Sequence, residues 1–350
     1  MSTSAAGAWD DRRYREMCEA DAPMRLGVIS NPFSRTNART RLYDRLLPTF
    51  LRDRGDAIET RTLADLDRAL RTLLFERGVN VLGLNGGDGT LHAGVNRLLA
   101  LSDEVLKRTG RPLPMPKLLF LNGGTLNIVS RATGTKGNPV RTVRHFTRLG
   151  RATLGEVPSR RIGLLRVAEK GGAVRHGFVF GSEIVANALE LYTQFGEGYA
   201  GLARFLVELV AGYLLHTRTW QEHGWKIDPP SGPVSVDGVT WPHYLCAAAA
   251  TIDLTLVKGV ISAFHVPEAS EGFFVKLVLE TDKGRIIRLI PKLMTARADA
   301  QIADVPEAGT LTVQGGYTLD GECFLDRSPS GLRREVAVTR SPVTIEAVRM

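Results

Sequence analysis

Cysteine is scarce in this chain. There are three in 350 residues, Cys18, Cys246 and Cys323, and they lie far apart. An odd count without metal-ligand spacing argues against a disulfide framework and against a zinc ribbon, and it reads as a reduced, cytoplasmic chain. Long apolar runs are also missing. The best stretch, Tyr199 to His216, is interrupted by Arg204 and Glu208 and is short of the ~20 apolar residues that a membrane span needs. Zinc-finger spacing, an aromatic RNA-binding signature and a dense basic helix are all absent, so no nucleic-acid partner is expected. No apolar leader opens the chain either. Asp10, Asp11, Arg12, Arg13, Arg15, Glu16 and Glu19 make residues 1–23 a charged N-terminal extension, with room for a short helix.

What remains is an ordinary globular composition, 43% hydrophobic and 23% charged, with 45 basic against 37 acidic side chains and a formal charge of +8. That excess suits an anionic ligand or an anionic membrane surface. The length allows two domains. Residues 24–31 read as a first strand, ended by Pro32. Helical spacing of Leu42, Leu46, Leu47 and Phe50 predicts a helix over 37–54. A second strand is expected at 57–62, a helix at 63–77, and further strands at 79–85 and 117–122. Strands alternating with helices indicate a mostly parallel α/β sheet. Beyond about residue 155 the texture changes. Strands are expected at 160–167, 176–180, 234–236, 244–249, 273–281 and 285–290, the last two joined as a hairpin through Asp282-Lys283-Gly284. Only the 189–215 region reads as strongly helical, with Leu202, Phe205, Leu206, Leu209, Val210, Tyr213 and Leu214 at helical spacing. Such a helix either packs on a core or touches lipid.

The most informative run is Asn85-Gly86-Gly87-Asp88-Gly89-Thr90-Leu91. It follows an apolar strand and precedes a stripe of Leu91, Val95, Leu98 and Leu99, so its glycines fall at a strand-to-helix turn. There the backbone can approach a ligand closely and the helix terminus favours an anion. Asp88 stands inside the turn, where a carboxylate either helps hold a metal ion or takes a proton. The order is neither that of a P-loop nor that of the dinucleotide fingerprint. Two further loops, after Asn31 and after Leu121, fall at the carboxyl ends of strands, where ligands of parallel sheets bind.

The run resembles the nucleotide-binding motif of the diacylglycerol kinase catalytic family, which includes bacterial lipid kinases and sphingosine and ceramide kinases; NAD kinases carry a related loop. Asn31-Pro32-Phe33-Ser34-Arg35 resembles the family's Asn-Pro-x-Ser-Gly phosphate loop, with Arg35 in place of glycine. Asn122-Gly123-Gly124-Thr125-Leu126-Asn127 resembles the Pro-x-Gly-Thr-x-Asn segment, with Thr125 and Asn127 as polar contacts. Thr62 matches a nucleotide-contacting position. Asp320-Gly321-Glu322 resembles the family's acidic motif; on its own, Asp-Gly is a turn. The resemblance implies ATP and Mg²⁺ as cofactors, Gly86, Gly87, Asp88, Gly89 and Thr90 against the nucleotide, and Glu322 as proton acceptor, with Asp320 supporting it or the metal and Asp88 as the other candidate base. Glu271-Gly272 resembles a weaker stretch whose acid helps bind a structural Mg²⁺. Phe180-Gly181-Ser182-Glu183 departs from the family's Gly-x-Gly-x-Asp run.

The expected architecture is therefore α/β plus all-β. A mostly parallel α/β nucleotide-binding domain covers 24–155 and a β-sandwich-like lipid-substrate domain covers 156–318. A C-terminal segment, 319–350, carries Asp-Gly-Glu and returns to the first domain. The expected activity is transfer of the ATP γ-phosphate to a lipid hydroxyl, with transient peripheral contact to an anionic membrane. NAD kinase is the enzymatic alternative, but the Asn-Glu pair of those enzymes is absent from this sequence. A non-catalytic nucleotide- or lipid-binding regulator is the other reading. Neither the lipid nor the oligomeric state is legible.

Overall fold

A computed structural model describes residues 11–40, 47–48, 55–124, 127–135, 137–148, 152–195, 198–228, 230, 232–256, 261–264, 266, 271–282, 284–286, 289, 292, 299–326 and 333–349. The chain divides into two compact units, one of residues 1–162 with 345–350, the other of residues 163–344.

In the first unit, strands β1 (Leu26–Ser30), β2 (Gly55–Glu59), β3 (Val81–Gly86) and β4 (Lys117–Asn122) are joined in the order β2-β1-β3-β4. All three pairings are parallel. The C-terminal stretch returns to extend this sheet, with Ala347 opposite Leu118, also parallel. Every residue of β1 and β3 is buried. That is why these strands read as continuous apolar runs rather than alternating ones. Helix α1 (Asp11–Met17) buries Tyr14 edge-on against Phe75. Helix α2 (Arg35–Thr40) follows β1, α3 (Leu63–Arg71) follows β2 and continues as a π-turn over Thr72–Glu76, and α4 (Asp88–Thr109) follows β3. The expected stripe on α4 is buried, and Gly110 ends the helix in the left-handed conformation, φ +73°. Helices α5 (Ile128–Ala132) and α6 (Pro139–Arg148) follow β4. The core gathers Leu26, Val28, Val81, Leu119, Leu121, Phe146 and Val348. Most of the helix expected over 37–54, with Leu42, Leu46 and Phe50, lies outside the described residues.

The second unit is a two-sheet sandwich, as expected. Its strands are β5 (Ser159–Glu169), which enters from the first unit, β6 (Val174–Gly177), β7 (Val179–Ser182), β8 (Val234–Val236), β9 (Val239–Trp241), β10 (Cys246–Ala250), β11 (Leu254–Leu256), β12 (Ile261–Phe264), β13 (Phe273–Val278), β14 (Ile302–Ala308), β15 (Thr310–Gln314), β16 (Tyr317–Leu319), β17 (Glu322–Phe324) and β18 (Glu335–Val348). One sheet joins β18, β15, β8 and β9 in sequence, with β5 on β18 and β6 on β5. The other runs β14-β13-β10-β7-β16-β17, and β11 pairs with β12 alone. Their inner faces share one core, with Leu165, Val236, Leu311 and Val338 from the first and Phe180, Ala249, Val275 and Leu319 from the second. Helices α7 (Glu183–Tyr192), α8 (Gly198–Leu215) and α9 (Arg218–His223) occupy the expected helical region.

Two expectations fail here. The described residues of the stretch 285–290, Arg285, Ile286 and Leu289, are helical rather than extended: the Asp282 carboxylate accepts the Arg285 N–H (2.9 Å) and its carbonyl the Ile286 N–H (2.9 Å). Asp282 thus caps a helical turn instead of closing a hairpin. Strand β13 pairs with β10 and β14 instead. The single strand expected over 176–180 is two strands in different sheets, β6 against β5 and β7 against β10 and β16, with a corner at Phe178.

Candidate active site

The loops after β1, β3 and β4 do converge at the carboxyl edge of the first unit's sheet. They are laced together mostly through backbone groups. Gly123 N–H donates to the Gly86 carbonyl (3.1 Å), Thr36 N–H to the Gly123 carbonyl (3.2 Å) and Asn31 N–H to the Asn85 carbonyl (2.9 Å). The Asn31 amide donates to the Thr90 hydroxyl (2.9 Å), and Asn127 bridges both polar groups of Gly124 (2.9 and 3.0 Å). Asn85 and Asn37, both fully buried, tie the loops from beneath: Asn85 Nδ2 reaches Ser30 Oγ (2.8 Å) and Asn37 Nδ2 reaches the Asn31 carbonyl (2.9 Å). Neither was singled out from the sequence, although Asn85 opens the informative run.

The glycines are needed where the loops touch. A Cβ on Gly124 would stand 2.3 Å from the Gly87 Cα, and one on Gly123 would stand 2.7 Å from the Gly86 nitrogen. A Cβ on Gly86 would meet the Thr90 side chain at 2.4 Å. Gly87 is the N-cap of α4 and offers its first amides no side-chain partner. Two close-packed loops beside the uncapped end of a 22-residue helix form a cradle of N–H groups suited to phosphate. Thr90, whose hydroxyl oxygen accepts from Asn31, keeps its proton to donate. The Ser34 hydroxyl donates to the Asn31 carbonyl (3.0 Å). Arg35 opens α2 half-buried. Gly89 is the second residue of α4, and Thr125 lies outside the described residues.

Asp88, the first residue of α4, points its carboxylate at the start of α5. Its Oδ2 accepts from Ile128 N–H and its Oδ1 from Val129 N–H, both at 3.2 Å. It thereby holds the loop after β4 in place. Thr62 is the N-cap of α3: its hydroxyl accepts from Asp65 N–H (3.1 Å), and the Asp65 carboxylate returns the bond to Thr62 N–H (3.1 Å).

In the second unit, Asp320-Gly321 is the two-residue turn between β16 and β17, with φ of +53° and +88° and Leu319 opposite Glu322. Both positive φ values are what a type I′ hairpin requires. Asp320 is buried, and its Oδ1 accepts from Phe178 N–H (2.8 Å) and Val179 N–H (3.0 Å). Glu322 opens β17 exposed, and no hydrogen bond or ion pair holds its carboxylate among the described residues. Burial, then the charges of Glu322 and Glu190, raise the neighbouring Cys323 thiol. Glu271 is exposed, and among the described residues no group of three acids, histidines or cysteines could hold a metal ion. The carbonyl of the adjacent Gly272 accepts from the Arg340 guanidinium (2.9 Å). Ser182 is buried with its hydroxyl accepting from Ala247 N–H (2.9 Å), and Glu183 pairs with Arg333. The departing run therefore ties β7 to its neighbour β10 within one sheet and pairs with Arg333.

Residues 25–157 match the model of the diacylglycerol kinase catalytic domain. A comparison with curated proteins found no match. Three solved structures from Bacillus anthracis str. Sterne are similar over nearly the whole chain. Two are described as a "putative diacylglycerol kinase", each 16% identical, covering 94% of this chain and 98% of theirs, with TM-scores of 0.59 and 0.61. The third, described as a diacylglycerol kinase, is 15% identical over 94% of this chain and 97% of its own, with a TM-score of 0.56. At that identity the likeness is one of fold. Residues 25–157 are thus similar to a diacylglycerol kinase catalytic domain, and 94% of the chain shares the fold of these bacterial proteins.

Proposed function

We propose that this protein is an ATP- and Mg²⁺-dependent lipid kinase, moving the γ-phosphate onto a hydroxyl of a diacylglycerol-type or sphingoid-type lipid. The observation that carries the reading is the cradle at the head of α4, within the matched domain. Its amides, the Thr90 hydroxyl and the loop glycines would hold the phosphates. Arg35 would add a charged contact, and Asn31, Ser34 and Asn127 would shape the rim.

Mg²⁺ would arrive with the nucleotide, held mainly by phosphate oxygens and water; among the described residues no group of three acids, histidines or cysteines could cage it. It would neutralise phosphate charge. In the transfer, the lipid oxygen forms a bond to the γ-phosphorus as the bond to the bridging oxygen breaks and ADP leaves. The hydroxyl proton passes to a carboxylate, and Glu322 is the candidate because no hydrogen bond or ion pair holds its carboxylate among the described residues. Asp88 and Asp320 hold backbone amides instead.

No helix among the described residues is long and apolar enough to cross a membrane. On α8, Val207, Leu214 and Leu215 are 65–76% exposed. With the positive net charge, this supports a cytoplasmic enzyme making transient peripheral contact with an anionic membrane.

The test is phosphate transfer from labelled ATP with Mg²⁺, offering total lipid extract in mixed micelles and, separately, NAD. An organic-extractable labelled product is expected, and its mass names the acceptor; label on NAD would move the protein to the NAD kinase branch, and no product in either would refute the kinase reading. Glu322→Gln should keep ATP affinity and lose turnover by about 100-fold or more.

A further inference from the structure

Two Asp-Gly turns in the second unit have the same geometry, although only one lies in a motif tied to catalysis. At Asp237-Gly238, between β8 and β9, φ is +49° and +84°; at Asp320-Gly321 it is +53° and +88°. In each, the aspartate N–H donates to a carbonyl at the start of another strand, Thr310 (3.1 Å) or Val179 (2.8 Å). In each, one carboxylate oxygen accepts from two consecutive amides. Asp237 Oδ1 takes Gly309 (3.0 Å) and Thr310 (2.7 Å); Asp320 Oδ1 takes Phe178 (2.8 Å) and Val179 (3.0 Å).

These amide pairs share a property. Gly309 lies where the chain leaves β14 in one sheet and enters β15 in the other. Phe178 lies where it leaves β6 in one sheet and enters β7 in the other. At such a corner, successive amides turn away from both ladders and need another acceptor. Aspartate serves because it tolerates the left-handed region and has a short side chain that returns to nearby backbone. Asp320 is also packed in: a Cβ on Gly177 would lie 2.5 Å from its Oδ2.

We infer that Asp320 is a positioning residue, not a base or a metal ligand: it pins the sheet-switch corner at Phe178 and thereby fixes where β17 begins and where Glu322 stands. Asp237 does the same service at the other corner with no catalytic neighbour. The inference takes Glu322 as proton acceptor from the kinase reading, while the corner contact can be measured without turnover.

Asparagine offers the same acceptor oxygen and tolerates the same backbone, so it separates the two roles. Asp320→Asn should keep kcat within about five-fold and leave the Mg²⁺ dependence unchanged, because a neutral acceptor still satisfies both amides. Asp320→Ala should lower kcat at least about 30-fold with KM for ATP little changed, because it releases the corner and with it the base. Gly177→Ala, which retains the carboxylate but displaces it, should behave like Asp320→Ala. Asp237→Ala should lose stability without that loss of kcat. Backbone amide exchange is the second readout, and it needs no substrate: Phe178 and Val179 should stay protected in the wild type and in Asp320→Asn, and exchange faster in Asp320→Ala. An Asp320→Asn protein as damaged in kcat as Glu322→Gln, or with a shifted Mg²⁺ midpoint, would overturn the inference. So would unchanged protection in Asp320→Ala. Wild-type protein inactive on every lipid would instead refute the kinase reading, and the exchange result would still decide the corner contact.

Discussion

Gly124→Ala tests the loop crossing most directly. The new methyl would sit 2.3 Å from the Gly87 Cα and 3.2 Å from the Gly87 nitrogen. Ordinary carbon contacts begin near 3.5 Å, so one loop must move by about 1 Å or more. Neither can yield by turning a side chain, because backbone faces backbone. Gly124 is held by Asn127 on both its polar groups and by the Thr36 hydroxyl on its carbonyl (3.0 Å), while the neighbouring Gly123 is bonded to Gly86. Overpacking costs about 1–3 kcal/mol and each distorted hydrogen bond about 1 kcal/mol more, a total of about 2–4 kcal/mol. At about 2–4 °C per kcal/mol for a unit of this size, the melting transition should fall by roughly 5–15 °C. ATP affinity should fall with it, because the displaced loops form the cradle. Differential scanning calorimetry and a titration with a fluorescent ATP analogue read the two effects. Gly110→Ala is the control: its φ is +73° but a Cβ there meets nothing within 4 Å, so only about 1 kcal/mol of backbone strain is expected and no change in ATP affinity. A Gly124→Ala protein with the wild-type transition and wild-type ATP affinity would refute the crossing.

Other expectations follow from single contacts. Asp88→Asn puts an amide group where one carboxylate oxygen now accepts from the start of α5; thermal unfolding should show a loss of about 1–3 kcal/mol, and an unchanged transition would mean that the contact is dispensable. Burial pushes the Cys246 thiol up to about 12, with Lys276 and the Val278 backbone acting the other way. It should therefore remain protonated at pH 8, and an alkylating reagent should modify the native protein at Cys246 at least about ten-fold more slowly than at exposed Cys323; equal rates by peptide mapping would contradict this. The sign for stability follows. Because the folded thiol binds its proton more tightly than the unfolded one, its contribution is complete below the unfolded value near 9 and is lost as pH rises from there towards 12. Denaturant midpoints should decline over that alkaline window, and less so in Cys246→Ala.

The first unit was legible because parallel strands buried on both faces produce apolar runs, and the runs at 24–31, 79–85 and 117–122 each end in a loop of small polar residues. The second unit was less so. Strands of three to five residues, such as β8, β15 and β16, carry too few side chains to establish a period. The sequence around Phe178 reads as one strand because the alternation continues across the corner; only the pairing partners change. Asp282-Lys283-Gly284 has the composition of a hairpin turn, yet Asp282 caps a helical turn, since one aspartate can accept from either kind of backbone. The alternating stretch that became β18 pairs with β15, whose partner residues precede it by more than twenty positions, and no local signal announces that.

The site shows a related limit. Motif residues are recognised by type, and type does not separate a group that meets a ligand from one that holds the loop. Gly124 is glycine because Gly87 passes beside it, thirty-seven positions away, and no window containing one loop reveals the other. Thr62 matches a nucleotide position but spends its hydroxyl on Asp65. Asp320 and Glu322 stand two residues apart in one motif, and the chemistry of a carboxylate is the same in both. What divides them is the backbone. Asp320 occupies a left-handed turn and accepts from the two amides of the corner, while Glu322 is the first residue of a strand and no hydrogen bond or ion pair holds its side chain among the described residues. Asp-Gly read as a turn and Asp-Gly-Glu read as an acidic motif are therefore compatible descriptions: the turn sets where Glu322 begins the next strand.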